Sequence, residues 1–178
     1  MVRSDFTMQE YSNQDFLRLI EHRIRKEMRQ NSFISLKKSY QLQEQSSLQS
    51  QVLLYFLKKI FHERLDISSG DLIETDYLEM FISKKLEVFL HRGNSDILLD
   101  KLITPLRSIT EHEIQEVAKI LSLKGTFVPV DQKTQSSIVD GVPEQNVFSI
   151  ISGLQEKYPQ TKPSFLKSFA NIERLEKK

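Results

Sequence analysis

Apolar residues recur at intervals of three and four positions along much of this chain, and that spacing constrains the fold more than any other feature. In the first stretch, Asn13 can cap a helix that runs to about Gln30 with an apolar stripe of Phe16, Leu17, Ile20, Ile24 and Met28. Similar spacing predicts helices over about 47–65, 72–92, 96–103, 110–124, 143–158 and 161–175. The best strand candidate is Thr126–Val130, which Pro129 confines to an edge or a loop. The sequence therefore predicts a mainly α fold with about six or seven helices and at most a short strand pair.

The predicted helices divide into two regions. Residues 1–45 contain a basic N-terminal helix followed by a polar, Gln- and Ser-rich linker, and residues 46–178 form a helical core domain. Within the second region, Thr110 and Glu113 form a T-x-x-E capping box at the start of one helix. Hydrophobic residues make up 39% of the 178-residue chain, which is enough to build a core.

The chain contains no cysteine, which excludes disulfides, thiolate zinc sites, iron–sulfur clusters and cysteine nucleophiles. Its five glycines stand singly, so no Walker loop or G-x-G-x-x-G pattern occurs. The four histidines are isolated from one another, and no zincin motif is formed. We therefore predict no catalytic residue, no metal site and no cofactor. An enzyme built from scattered carboxylates and histidines is a less favoured alternative.

Acidic residues cluster at the starts of two predicted helices, at Asp71, Glu74 and Asp76 and again at Glu111 and Glu113. The helix dipole stabilises an acidic residue in the first turn by about 0.3–1 kcal/mol. Capping therefore explains both clusters without a catalytic role.

Charge is unevenly distributed although the totals nearly cancel, with 25 Lys and Arg against 24 Asp and Glu. Arg18, Arg25 and Arg29 recur at spacings of seven and four, so they share one face of the basic helix. Together with Lys37 and Lys38 they are the candidate nucleic-acid-binding residues, since phosphate contacts are made by such cations. The alternatives are contact with a protein and a solvated helix face. The middle of the chain, from Glu63 to Glu116, is acidic, and it is a second candidate partner surface.

No apolar stretch approaches the length of a membrane span, and no apolar run follows the first residues as in a signal peptide. We therefore expect no membrane association. The expected location is the cytoplasm, with the nucleus as the alternative.

Several short motifs follow one another in an order that resembles the cytoplasmic tRNA 2-thiolation protein 2 family, the non-catalytic partner within the PP-loop superfamily. The motifs are Gly70-Asp71 with Thr75, Arg92-Gly93-Asn94-Ser95, Pro105-Leu106-Arg107 with Glu113-Ile114, and Tyr158-Pro159-Gln160-Thr161. The S-G-G-x-D-S loop and the zinc-binding cysteine pairs of the superfamily are absent from this sequence. The resemblance implies a supporting role in wobble-uridine thiolation, with tRNA and a catalytic protein subunit as partners. It also makes Arg92 and Arg107 the candidate partner-binding residues.

These observations favour a non-catalytic subunit or adaptor of a macromolecular assembly, which contacts RNA through the basic helix and also contacts a partner protein. The alternative is a helical protein-interaction subunit of a larger complex with no nucleic-acid role.

Overall fold

The computed structural model describes residues 1–5, 7–30, 34–92 and 103–130, together with nine residues between 153 and 171. The side chains of residues 63 and 86–92 lie outside this description. The chain divides into two compact units. The first consists of Met1–Leu78 and Lys101–Val128, and the second consists of Glu79–Asp100 and Pro129–Lys178.

The first unit is built around a parallel sheet. Strand β3 (Ser39–Leu42) lies in the centre, flanked by β4 (Asp66–Ile67) and β5 (Asp71–Ile73), in the order β4-β3-β5. Both neighbours run parallel to β3, with Tyr40 beside Ile67 on one side and Leu42 beside Ile73 on the other. A parallel bridge from Ile73 to Ile103 extends the sheet beyond β5. The prediction of a mainly α fold is therefore wrong, because the protein is mixed α/β.

The sheet escaped prediction because its strands are very short and partly polar. In β3, Tyr40 and Leu42 are buried while Gln41 is exposed, so only two apolar residues mark the strand. In β5, Ile73 is fully buried and Leu72 is 48% exposed. Parallel strands usually contain long apolar runs, which neither segment has. The segment from Leu72 was accordingly predicted as the start of a helix, although α3 begins at Leu78 and ends at Arg92.

Gly70 is required where the chain passes from β4 to β5. It adopts φ +146°, which is a conformation that other residues rarely tolerate. A Cβ atom there would lie 2.2 Å from the carbonyl oxygen of Ser39, the first residue of β3. The crossing is therefore possible only because this residue has no side chain.

Two helices supply many of the largest buried apolar side chains of the first unit. Helix α1 spans Asn13–Gln30, the bounds that the sequence predicted, and it buries one apolar face. Helix α2 spans Leu48–Phe61 and is followed by a 3₁₀ turn over His62–Arg64. The largest fully buried side chains of these two helices are Phe16, Ile20, Ile24, Leu53, Phe56 and Leu57.

Helix α4 (Glu111–Leu121) begins with the predicted capping box of Thr110 and Glu113. Glu113 is fully buried, and its carboxylate accepts hydrogen bonds from Ser4 Oγ at 2.7 Å and from Arg23 at 2.8 Å. Ser4 directly follows β1 (Val2–Arg3), which pairs antiparallel with β2 (Glu10–Tyr11). The N-terminal hairpin is therefore attached to the start of α4.

The second unit contains most of α3. Phe81 and Ile82 are buried there, and the carboxylate of Glu79 accepts a hydrogen bond from Lys162 Nζ at 2.6 Å. The predicted helix over 96–103 lies almost wholly outside the described residues, as does most of the two helices predicted after residue 143. No helix in the described part of the chain is long and apolar enough to cross a membrane.

Candidate functional site

The candidate site is the edge of the sheet at which β3 and β5 end. In parallel α/β sheets, ligands bind in the crevice outside the carboxyl ends of the strands. Strand β3 ends at Leu42 and α2 begins at Leu48, so the first turn of α2 lies at this edge. The backbone N–H groups of such a turn form a ready site for an anion.

The turn between β3 and α2 differs from a phosphate-binding loop in composition and in backbone pairing. Residues 43–47 contain no glycine, and Glu44 adopts a left-handed conformation at φ 47°. Its carbonyl accepts a hydrogen bond from the N–H of Ser47 at 2.7 Å, while the N–H of Gln43 donates to the carbonyl of Ile73 at 3.0 Å. The turn therefore lacks the glycines whose N–H groups a phosphate-binding loop uses.

Residues 125–128, the closing strip, follow α4 and lie against the first turn of α2. The N–H of Leu48 donates to the carbonyl of Thr126 at 2.9 Å. The amide of Gln49 is buried and binds both backbone groups of Val128, donating to the carbonyl at 2.6 Å and accepting from the N–H at 3.3 Å. A Cβ atom on Gly125 would lie 3.0 Å from the backbone nitrogen of Leu48. The closing strip therefore occupies the approach to the helix N-terminus.

Serine side chains engage further groups of the same turn. Ser47 caps α2 by accepting a hydrogen bond from the N–H of Ser50 at 3.1 Å. The hydroxyl of Ser50 donates to the carbonyl of Gln43. Both serines are buried. At least two N–H groups of the α2 N-terminus, those of Leu48 and Ser50, are thus satisfied by the chain itself.

The end of β5 contributes acidic residues and an aromatic contact. Glu74, Thr75 and Asp76 follow Ile73 directly and are all buried. The ring of Tyr77 packs on that of Phe127 in the closing strip, with 5.5 Å between the ring centres. The edge is therefore organised to pack against its own chain.

Ion pairs hold three of the five candidate nucleic-acid-binding residues. Arg18 pairs with Asp15 at 3.3 Å, Arg25 with Glu21 at 2.8 Å, and Lys38 with Asp71 at 2.7 Å. All three pairs lie within the first unit. The hydrogen bond and charge of Asp71 raise the pKa of the Lys38 ammonium group.

Glu21 is shared between two cations, since Lys59 of α2 also binds it at 2.9 Å. Burial of Glu21 raises its pKa, but the hydrogen bonds and charges of Lys59 and Arg25 together outweigh that effect, and the pKa is lowered. Arg25 is therefore tied to a carboxylate that stays ionised.

Arg29 and Lys37, the other two candidates, lie in different places. Both side chains are exposed. Arg29 Nε donates to the carbonyl of Arg25 at 3.4 Å, and both arginines line a cavity of about 620 Å³ with Ile60 and Phe61 of α2. The structure thus brings Arg25 and Arg29 together. Nucleic-acid binding by all five residues stays a prediction.

The two candidate partner-binding residues differ in their surroundings. Arg107 Nε donates to Glu27 of α1 at 2.8 Å, and each of these side chains is only 11% exposed. Arg92 is the last residue of α3, and its side chain lies outside the described part of the structure. Partner binding by both arginines stays a prediction.

Sequence reasoning missed the edge of the sheet and the contacts of the closing strip, although it marked Thr126–Val130 as an edge strand or loop. One signal was available, because Tyr40 and Leu42 alternate with polar residues shortly before the serine that caps α2. The contact between residues 49 and 128 spans 79 positions, and no local pattern announces it. Within the described residues, no group of three or more His, Asp or Glu side chains could hold a metal ion.

Comparisons with known proteins support the fold described above. No family model and no curated protein matches the chain. Ten chains of solved structures match it, and one of them is the U34-tRNA thiolase NcsA from Methanococcus maripaludis with its 4Fe–4S cluster. The two structures superpose with a TM-score of 0.68 at 12% identity, over 97% of this chain and 83% of that chain. This likeness shows a shared fold, and membership of the family that the sequence motifs resemble stays a prediction.

The iron–sulfur cluster of that thiolase has no counterpart among the residues of this chain. Such clusters are held by cysteine thiolates, and these 178 residues include no cysteine. The donor set therefore does not fit a cluster. What the chain shares with the U34-tRNA thiolase is its fold.

Proposed function

We propose that this protein is a non-catalytic subunit that supports thiolation of the wobble uridine of tRNA, through contacts with RNA and with a catalytic partner protein. The observation that carries the proposal is the closing strip. It covers the helix N-terminus at the sheet edge, in a chain that has the fold of a tRNA thiolase.

The hydrogen bonds of the closing strip oppose nucleotide binding. A phosphate at the start of α2 would have to displace the carbonyl of Thr126 from Leu48 and would meet Glu44 in the preceding turn. A typical hydrogen bond contributes about 0.5–1.5 kcal/mol, and leaving a buried polar group unsatisfied costs about 1–3 kcal/mol. Opening this edge for a phosphate is therefore unfavourable.

The lack of cysteine supports the need for a partner. Thiolates are the nucleophiles and metal ligands of sulfur chemistry, and this chain supplies none. A catalytic protein subunit would have to provide them. We therefore assign the chain a supporting role within an assembly.

The basic cluster formed by Arg25 and Arg29 supports contact with RNA. Both residues lie near the C-terminal end of α1, beside the end of α2. Cations of this kind contact phosphates without reading bases. The competing carboxylate of Glu21 makes such a contact weaker and more sensitive to salt.

A specific observation favours the alternative of a protein-interaction subunit with no nucleic-acid role. Asp15, Glu21 and Asp71 neutralise three of the five candidate cations. If these pairs persist in solution, little free positive charge is left on this surface for RNA.

The proposal is tested by reconstituting thiolation from purified components. The full chain, a PP-loop thiolase of the same organism, unmodified tRNA, ATP and a sulfur donor are combined, and 2-thiouridine is measured by mass spectrometry. We expect no product from the chain alone and more product from the thiolase when the chain is present. Product formed by the chain alone, or an unchanged yield with the thiolase, would contradict the proposal.

A further inference from the structure

A groove of about 1050 Å³ lies in the first unit beside the free edge of β3. Leu42 of β3, Leu54 of α2, and Leu65 and Ile67 at β4 form its apolar lining. Its volume reaches the upper end of the range for small-molecule sites, about 300–1,000 Å³. It has room for several residues of an extended peptide.

The groove adjoins a strand edge that β4 covers only in part. Strand β4 pairs with Ser39 and Tyr40, whereas β5 on the other side pairs with Tyr40, Gln41 and Leu42. The N–H and C=O groups of Gln41 face β5, whereas those of Leu42 face the β4 side, where no strand among the described residues pairs with them. A strand edge of this kind presents N–H and C=O groups to which an incoming extended segment can pair.

The groove carries positive charge. Lys58 and Arg64 supply this charge, and His62 also lines the groove; all three side chains are exposed. Among the described residues that line it, none is acidic. This combination of apolar lining and cationic rim suits a peptide in which aliphatic side chains are flanked by carboxylates. Among the described residues that line it, His62 alone has an aromatic ring, which is too few for the stacking of successive bases that single-stranded RNA binding uses.

We propose that this groove receives an extended, acidic segment of a partner protein, which adds to the sheet at Leu42 with its aliphatic side chains against Leu54 and Leu65. The inference deepens the proposed function, because it names the surface for the partner subunit. Peptide binding is measured without any thiolation reaction, so the two proposals can fail separately.

The test uses the full chain and two fluorescent peptides of equal length, one that alternates Val with Glu and one that alternates Val with Lys. We expect the Glu peptide to bind and the Lys peptide not to bind, as measured by anisotropy. The double variant Lys58→Glu/Arg64→Glu is expected to weaken binding at least about tenfold. The matched control is Lys119→Glu/Lys124→Glu, which changes the net charge equally at exposed positions outside the groove and is expected to bind normally.

A backbone-modified peptide tests the strand pairing itself. Methylation of every second amide nitrogen removes the donors on one edge of an extended peptide, so binding should be lost. The proposal is overturned if the Glu peptide does not bind. It is also overturned if methylation leaves binding of the Glu peptide unchanged, or if the groove variant and the control bind that peptide equally well. If an unmodified tRNA binds through Lys58 and Arg64 while the peptide does not, the groove serves RNA and the proposal is also wrong.

Discussion

The backbone N–H of Leu48 donates to the carbonyl of Thr126 at 2.9 Å, and a parallel bridge joins the neighbouring Ser47 to the same residue. This contact joins the first turn of α2 to the strip that follows α4. It places the chain's own backbone where a nucleotide-binding relative of this fold class would present N–H groups to a phosphate.

Replacing Gly125 with alanine should weaken the packing of the closing strip. The new Cβ would lie 3.0 Å from the nitrogen of Leu48 and 3.0 Å from the carbonyl oxygen of Ser46, both of which are backbone atoms. Overpacking of this kind costs about 1–3 kcal/mol, and urea unfolding of the full chain measures it. Gly153→Ala is the control, because a Cβ there meets nothing within 4 Å, and it should not lower the free energy of unfolding. Equal effects of the two substitutions would contradict this account of the strip.

Gly70→Ala should be the more damaging glycine substitution. The residue has φ +146°, and its new Cβ would approach the carbonyl oxygen of Ser39 to 2.2 Å. We expect a loss of about 3 kcal/mol or more, since strain and a backbone clash combine. Thermal unfolding followed by circular dichroism measures the loss. A change of less than about 0.5 kcal/mol would contradict the requirement for glycine between β4 and β5.

Glu113→Gln should destabilise the attachment of α1 and the N-terminal hairpin to α4. The substitution removes the charge that faces Arg23, a side chain only 11% exposed. Breaking a buried ion pair from one side costs about 3–5 kcal/mol. Ser4→Ala removes a single neutral donor from the same carboxylate and should cost about 1–2 kcal/mol. Denaturant unfolding measures the loss in the free energy of unfolding for each variant. A larger loss for Ser4→Ala than for Glu113→Gln would contradict this account.

The shared carboxylate of Glu21 predicts a small dependence of stability on pH. Its pKa is lower in the folded chain than its ordinary value of 4.5, so its contribution is present above that value. The contribution is lost as the pH falls below 4.5 through the lowered pKa. Glu21→Gln should therefore reduce stability at pH 7 by about 0.3–1 kcal/mol and have little effect at pH 2–3. Glu10→Gln, at an exposed strand position, is the control. An equal loss for Glu21→Gln at both pH values would show that its charge is not responsible.

Reversal of charge at the basic cluster tests contact with RNA. Arg25→Glu/Arg29→Glu should lower the affinity for unmodified tRNA and reduce the slope of log K against log salt by about one to two, since about 0.7–0.9 of an ion is released per phosphate contact. Filter retention across a salt series measures both quantities, with Lys119→Glu/Lys124→Glu as the charge-matched control. If the Arg25→Glu/Arg29→Glu variant retains tRNA as well as the unchanged chain does, the alternative of a protein-interaction subunit with no nucleic-acid role is favoured.

Helices α1 and α4 were predictable because their signals are local. The apolar spacing of α1 marks the helix, and Thr110 with Glu113 marks the start of α4, within a few residues of sequence. The strands β3 and β5 were not predictable in the same way, since each has at most two buried apolar residues and depends on neighbours distant in the chain. Thr126–Val130 was marked as a strand candidate, but its contact with α2 was not predictable, because Gln49 meets Val128 only once the unit has folded.

The most direct test of the central claim is to measure the binding of ATP to the purified full chain by titration calorimetry. The account predicts no binding at micromolar ATP, because the N-terminus of α2 is engaged by Thr126 and by Ser47. A micromolar Kd that is weakened by substitution of Ser47 or Ser50 would show that this edge takes a nucleotide after all, and would contradict the assignment of a non-catalytic subunit.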